Sequence, residues 1–478
     1  MNVIRTMDTE AAKIRKNLNH PIVDGDGHFL EINKVLLDYV KKVAGPDFAE
    51  KFDNRKLYWM KTGTKHIFWG QPSGPNSLDR ATAMLPNLFA ARLDEAGLDF
   101  GIVYSTIVLA IMHDTEDEFR QVGHRALNMM MADLFRDVSD RLVPSAGIPM
   151  YTPEEALAEL DFVVNELGFK AATFGTERRL APALLAEAAP QLKNTFFEVS
   201  PVALDTEHNY DQVWQRCIDL KIAVASHTSS RGNYGRRNSP SNYVFNHIGD
   251  FAGGGNYFCR CLFFDGVTRR FPELNFAFLE GGAGWASQLY NDIIEHWEKR
   301  NIDAMHANLD PSTLDMDLIA EMAEKYGGNI ITREDALAQR QGFRMGGVLD
   351  QEIELDEFKR CEIAKKEDIA ELFVDPFYFG CEADDRLNAI AFNPKLNHFD
   401  RKLKAMFGSD IGHWDVTDMT RVLPDAYEAV ENGLMSEDDF RDFTFTNPVM
   451  FFAKQNPDFF KGTRVETEVD KLLAEHTA

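Results

Sequence analysis

Pro21-Ile-Val-Asp-Gly-Asp-Gly-His28 runs a short apolar strand straight into acid and imidazole. Residues two apart on an extended backbone face the same side, so Asp26 and His28 point together. A carboxylate and an imidazole converging at a strand end can both donate lone pairs to a divalent metal at about 2.0–2.2 Å. Gly25 and Gly27 leave room there for a cation and its water. Taken alone, the pair is equally compatible with a polar strand end facing solvent. No Gly-rich dinucleotide fingerprint follows this strand, which weakens the case for a doubly wound open sheet.

Outward from this strand, short β-branched or aromatic runs alternate with longer amphipathic stretches. The strand candidates are Ile22–Asp26, Phe100–Tyr104, Leu142–Ile148, Ala171–Phe174, Ile222–Ser226, Asn275–Leu279, Phe377–Gly380 and Ala405–Gly408. Helical patterns at Glu116–Asp137, Pro153–Leu167, Tyr210–Leu220 and Val267–Phe271 separate several of them. Alternation at this spacing argues for βαβ units and a parallel sheet. Eight such strands predict an α/β fold of the (β/α)8 TIM-barrel type, with its chemistry at the C-terminal strand ends. The reading is of a single domain over 1–478 with two insertions. One, at about 48–90, follows the first strand; its stretch Lys51–Asn87 carries Tyr58, Trp59, His66, Phe68 and Trp69. It reads equally as a lid over the barrel mouth and as a solvent-facing or dimer-contact excursion. The other, 301–374, is charged and mostly helical and precedes the seventh strand; most of its charge reads as a solvated face.

Composition narrows the class. Hydrophobic residues make up 44%, enough for a large core, and 51 basic against 76 acidic residues give a net charge of −25. That balance repels phosphate backbones and anionic membranes, so the expected partner is a small molecule rather than nucleic acid or lipid. Five cysteines (Cys217, Cys259, Cys261, Cys361 and Cys381) form no CxxC pair, which fits a reducing, cytoplasmic setting. The first twenty residues contain Asp8 and Glu10 and read as an ordinary N-terminal helix rather than a targeting segment. No apolar stretch approaches the ~20 residues needed to span a bilayer.

The fifth candidate strand repeats the opening design: Ile222-Ala-Val-Ala-Ser-His227. The eighth continues as Met406-Phe-Gly-Ser-Asp410-Ile-Gly-His413-Trp-Asp415. On the barrel reading Asp26, His28, His227 and Asp410 all face one cavity. Two imidazoles with carboxylates suit a divalent cation, zinc first and manganese as the alternative.

These motifs resemble the amidohydrolase superfamily (amidohydrolase-related family 2), in the branch of aminocarboxymuconate-semialdehyde decarboxylase. The resemblance rests on Asp26-Gly-His28, on His227, and on Gly408-Ser-Asp410-Ile-Gly-His413, with Phe443-Thr-Phe-Thr-Asn447-Pro448 similar to the family's closing helix start. It implies a metal held by Asp26, His28, His227 and Asp410, and a homodimer or homotetramer. One departure stands out in Phe278-Leu-Glu280-Gly-Gly282, where many decarboxylases of the branch carry a histidine. Glu280 reads as an orienting partner of the metal site, with a general-base role as the alternative.

A carboxylate there repels an anionic substrate, which tilts the reading towards a metal-dependent hydrolase acting on a small, aromatic or cyclic molecule. In that mechanism Asp410 moves the proton of an activated water, and His413 orients Asp410 or steadies the oxyanion. The alternative is non-oxidative decarboxylation of an aromatic or unsaturated acid, for which Arg231, Arg236 and Arg237 could clamp the carboxylate. A metal-binding scaffold without catalysis is the third reading. His66, His113, His296 and His398 carry no site signal, while His247 is more site-like because it follows the fifth-strand loop. Trp285 and Trp414 fit either a pocket for a flat molecule or plain core packing.

Overall fold

The computed structural model describes residues 8–55, 70–180, 187–189, 198–227, 239, 241–338 and 355–477. Ten strands lie within them: β1 (Val23–Phe29), β2 (Phe100–Ser105), β3 (Leu142–Ile148), β4 (Ala171–Phe174), β5 (Glu177–Leu180), β6 (Glu198–Pro201), β7 (Val224–Ser226), β8 (Phe276–Phe278), β9 (Phe377–Glu382) and β10 (Lys404–Gly408). Eight pair in parallel in the order β1-β2-β3-β4-β7-β8-β9-β10. The last returns to the first just past the strand ends, where the Asp410 amide donates to the Asp26 carbonyl at 2.8 Å and the His28 amide to the Ile411 carbonyl at 2.9 Å. This is the expected (β/α)8 barrel. β5 and β6 form a separate antiparallel hairpin that the sequence reading did not foresee.

The expected helices appear slightly trimmed, as Asp117–Phe135, Pro153–Asn165, Asp211–Asp219 and Val267–Arg270. Side chains that compete with helix interiors set their starts: the Thr152 hydroxyl accepts from the Glu155 amide, and Thr9 caps Glu10–Asn17 by accepting from Ala12. Apolar faces of these helices bury against the outside of the sheet, with Phe135, Leu160, Trp214 and Phe263 at the contact.

A second core fills the barrel axis. Val23, Phe100, Ile102, Ala223, Ala277, Tyr378 and Met406 meet Phe451, Phe452 and Phe460 from the C-terminal segment. Phe100 and Phe460 pack ring to ring at 5.3 Å, and Asn275 donates to the Phe451 carbonyl at 3.1 Å. The C-terminal segment therefore plugs the end where the strands begin, leaving the opposite mouth for chemistry.

The 301–374 stretch contains the helices Ile302–Asn308, Met316–Tyr326, Arg333–Ala338 and Asp368–Val374. Phe443–Asn447 is a π-turn running into the helix Asn447–Ala453. The lid candidates Tyr58, Trp59, His66, Phe68 and Trp69 and the clamp candidates Arg231, Arg236 and Arg237 lie outside the described residues. All five cysteines are buried and unpaired, and no helix among the described residues is long and apolar enough to cross a membrane.

Candidate metal centre

β1 is buried along its whole length, yet it carries three polar side chains at period two: Asp24, Asp26 and His28. Its register against β2 slips between Asp24 and Gly27, a bulge that re-aims the residues beyond it. Asp24 is spent on structure. It accepts from the Ser409 amide at 2.8 Å, the Ser409 hydroxyl at 2.6 Å and the Asp26 amide at 3.1 Å, tying β1 to the loop after β10. Burial pushes its carboxyl up to about 6, the Ser409 hydrogen bonds working against the shift.

The side chains predicted from sequence converge at the mouth. His28 Nε2 lies 3.0 Å from Asp410 Oδ1, 3.3 Å from His227 Nε2 and 3.5 Å from Asp26 Oδ1. His227 Nε2 lies 3.5 Å from Asp26 Oδ2 and 3.1 Å from Glu280 Oε2. Asp410 is also held by His413 Nδ1 at 2.7 Å, and the His413 ring stacks on His28 with centroids 3.7 Å apart. Asp26, His28, His227, Asp410, His413 and Glu280 thus form one cluster, all but His413 buried.

Burial first, then repulsion from Asp410, raises Asp26 and Glu280 well above the usual carboxylate range. Burial also holds His28 down at about 4 and His227 well below its ordinary value. Asp410 goes the other way: burial opposes ionisation, but attraction to His413 and hydrogen bonds from His28 and His413 hold it well below the usual range.

The donor set fits a divalent cation. Ligands about 2.1 Å from a common centre sit about 3.0 Å apart at octahedral angles and about 3.4 Å apart at tetrahedral ones. The observed separations span 3.0 to 3.5 Å. Asp26 Oδ1, Glu280 Oε2 and both Asp410 oxygens are buried without a hydrogen-bond partner, the signature of atoms that want a cation. Two neutral imidazoles with their Nε2 atoms facing at 3.3 Å point the same way. Glu280 is therefore placed among the donors rather than behind them, which corrects the orienting role expected for it.

Three further groups rim the cluster. Glu382 ends β9, two residues beyond the predicted end of that strand, and burial with repulsion from Asp410 pushes it up to about 8. Asp415 is raised to about 9 by the same two causes. His247 lies 3.9 Å from Glu280 Oε1 and packs against Tyr243, Phe251 and Trp414 at ring distances of 5.2, 5.9 and 5.3 Å. Trp414 thus walls the mouth. Trp285 does not: it packs on Phe278 and Phe379 on the outer face of the sheet. Glu382 satisfied the strand-end rule that found the others and was hidden only by the Gly-Cys step before it. Asp415 stood in the quoted eighth-strand segment with no signal beyond its proximity to His413.

The sequence matches the family model described as Amidohydrolase over residues 44–307, from the helix before β2 to beyond β8. Among solved structures, the chain is similar to an amidohydrolase from Mycobacterium avium subsp. paratuberculosis K-10. That match has 15% identity and a TM-score of 0.52, covering 91% of this chain and 100% of the other. It is also similar to a dihydroxybenzoic acid decarboxylase from Polaromonas sp. JS666 with bound manganese and the inhibitor 2-nitroresorcinol. There the identity is 15% and the TM-score 0.49, over 92% and 99% of the two chains. A 2,6-dihydroxybenzoate decarboxylase complexed with 2,6-dihydroxybenzoate matches at 14% identity and TM-score 0.46, over 91% and 98%. At such identities these likenesses concern the fold.

Proposed function

The chain belongs to the amidohydrolase family, and on that premise we propose that it is a metal-dependent carboxy-lyase acting on a flat aromatic or unsaturated acid. The observation that carries the reading is the placement of Asp410 between His28 at 3.0 Å and His413 at 2.7 Å, on the lip of a mouth walled by aromatic rings. The Gly-Ser-Asp-x-x-His segment, similar to the decarboxylase branch, supports it from the sequence side.

Asp26, His28, His227, Glu280 and Asp410 would hold the cation. When bound, it supplies Lewis-acid polarisation of substrate oxygens. Three carboxylates and two imidazoles exceed zinc's usual four ligands and are oxygen-rich, which favours manganese over zinc. The chain's own groups do the rest. Tyr243, His247 and Trp414 flank a planar ring. Asp410, resting ionised, takes a proton from the substrate's hydroxyl or carboxyl group. It then delivers that proton to the ring carbon bearing the carboxylate. The bond from that carbon to the carboxylate breaks, its electron pair restores the ring, and carbon dioxide leaves. His413 keeps Asp410 oriented through both transfers.

The lean towards hydrolysis came from Glu280 as a charge facing substrate. Its position among the metal donors removes that argument, because a ligand carboxylate spends its charge on the cation. Hydrolysis stays as the second reading for one specific reason: an ionised Asp410 serves a metal-bound water as readily as a substrate hydroxyl. A panel of hydroxylated benzoic acids and of neutral esters and amides, each with manganese and with zinc, separates the two. Carbon dioxide release from an acid is the expected result; turnover of esters or amides with no carbon dioxide from any acid would overturn it.

A further inference from the structure

Beside the first cluster, His247, Glu280 and Asp415 bring a ligand atom each to within 4.8 Å of one another. Glu280 belongs to both groups. Its Oε2 faces His227 at 3.1 Å, and its Oε1 faces His247 at 3.9 Å. The Glu280 side chain is 2% exposed, and Glu280 Oε2 and Asp415 Oδ1 are buried with no hydrogen-bond partner. We propose that His247, Asp415 and Glu280 bind a second divalent cation, with the Glu280 carboxylate bridging it to the first.

Charge argues for the second ion independently of geometry. Asp26, Glu280, Asp410, Asp415 and Glu382 repel one another across this one mouth. Five carboxylates against one dication leave about three negative charges unbalanced where burial makes each costly. A second dication leaves about one. The imidazole is also set for the task. Tyr243, Phe251 and Trp414 pack around the His247 ring, Trp414 edge-on at an interplanar angle of 81°, and this fixes its plane. One imidazole and two carboxylates leave coordination positions open, so the ligand such a pair of ions would take is an oxyanion, a carboxylate or phenolate of the substrate.

The inference rests on the first metal centre only through the shared Glu280, and metal counting tells the two apart. The full-length chain is equilibrated with manganese(II) alone, and bound metal per chain is measured by elemental analysis. About two ions are expected, with an electron paramagnetic resonance spectrum of exchange-coupled manganese rather than an isolated six-line signal. His247→Ala and Asp415→Asn should each lower the count to about one and restore the six-line signal. The His247 side chain is 20% exposed, and an unchanged thermal melt of that variant guards against misfolding. One ion in the unaltered chain overturns the second site and leaves the first standing. Two ions retained by the double variant overturn it as well, and none at all overturns both centres.

Discussion

Stripping the cation with a chelator and raising the pH from about 6.5 to about 8 should expose the cost of the acid cluster. In the folded apoprotein Glu382 and Asp415 keep their protons up to about 8 and about 9, raised first by burial and then by repulsion from Asp410. In the unfolded chain both ionise near their ordinary values of about 4. Between those limits the folded state binds more protons than the unfolded one, so stability falls as pH rises through the folded values. Each retained proton contributes about 1.4 kcal/mol per pH unit, and two set an upper bound near 3 kcal/mol per unit. Asp415 is part-exposed, so a slope of about 1–2 kcal/mol per unit is expected after solvent screening.

The histidines act with the opposite sign. Burial lowers His28 to about 4 and His227 further, so their contribution grows as pH rises towards their unfolded value and is complete by about 6.5. Above that pH the carboxylates act alone, which is why the window starts there. With manganese bound, the same carboxylates are ionised in the folded state too, and the slope should flatten. Urea midpoints followed by circular dichroism at three pH values, with manganese and with chelator, give the comparison. Parallel slopes in the two conditions, or an apoprotein that gains stability above pH 6.5, would refute the reasoning.

Three substitutions test the site from other directions. Asp410→Asn should cost about 10²- to 10⁴-fold in turnover at saturating manganese, with an unchanged melt, because asparagine also tolerates the left-handed backbone there; unaltered turnover per folded molecule would remove Asp410 from the chemistry. Ser409→Ala removes the 2.6 Å hydrogen bond to the buried Asp24 and the acceptor of the Ile411 amide, an expected loss of about 1–3 kcal/mol in urea unfolding. Gly408→Ala sets a new Cβ 2.9 Å from Asp26 Cβ, so isothermal titration should show manganese affinity falling about tenfold or more, alongside an overpacking cost of about 1–3 kcal/mol.

The barrel was legible because its eight strands are apolar runs of four to seven residues, and Leu142–Ile148 and Ala171–Phe174 were placed to the residue. Errors sat at strand ends, where pairing continues into polar residues that an apolar pattern does not count: β1 runs on to Phe29 and β9 to Glu382. The same blind spot hid Glu382. The four principal donors were readable, since each follows an apolar run by a residue or two and the barrel brings such positions together. Asp24 was not, because its part is to fasten β1 to Ser409, and nothing local distinguishes a fastening carboxylate from a ligating one. Glu280 was found but set in the wrong layer: its side-chain direction depends on a backbone angle that sequence does not display.

That angle explains how two strands end in inward-facing acids. Glu280 and Asp410 adopt φ of 59° and 50°, in the left-handed region that non-glycine residues seldom enter. Such a residue costs about 1–3 kcal/mol and persists only where its surroundings over-determine it. At Asp410 the amide donates to the Asp26 carbonyl at 2.8 Å, and the next residue's carbonyl accepts from His28 at 2.9 Å. At Glu280 the flanking groups are likewise fixed, Leu279 donating to Ser226 at 2.9 Å and Gly282 to Gly380 at 3.1 Å. The barrel's own hydrogen bonds thus turn both carboxylates towards the axis, where their repulsion adds to the strain. A cation coordinated by both offsets that repulsion, so metal binding and this backbone conformation stabilise each other. Relaxing either strand end should therefore weaken the metal centre before it unfolds the barrel.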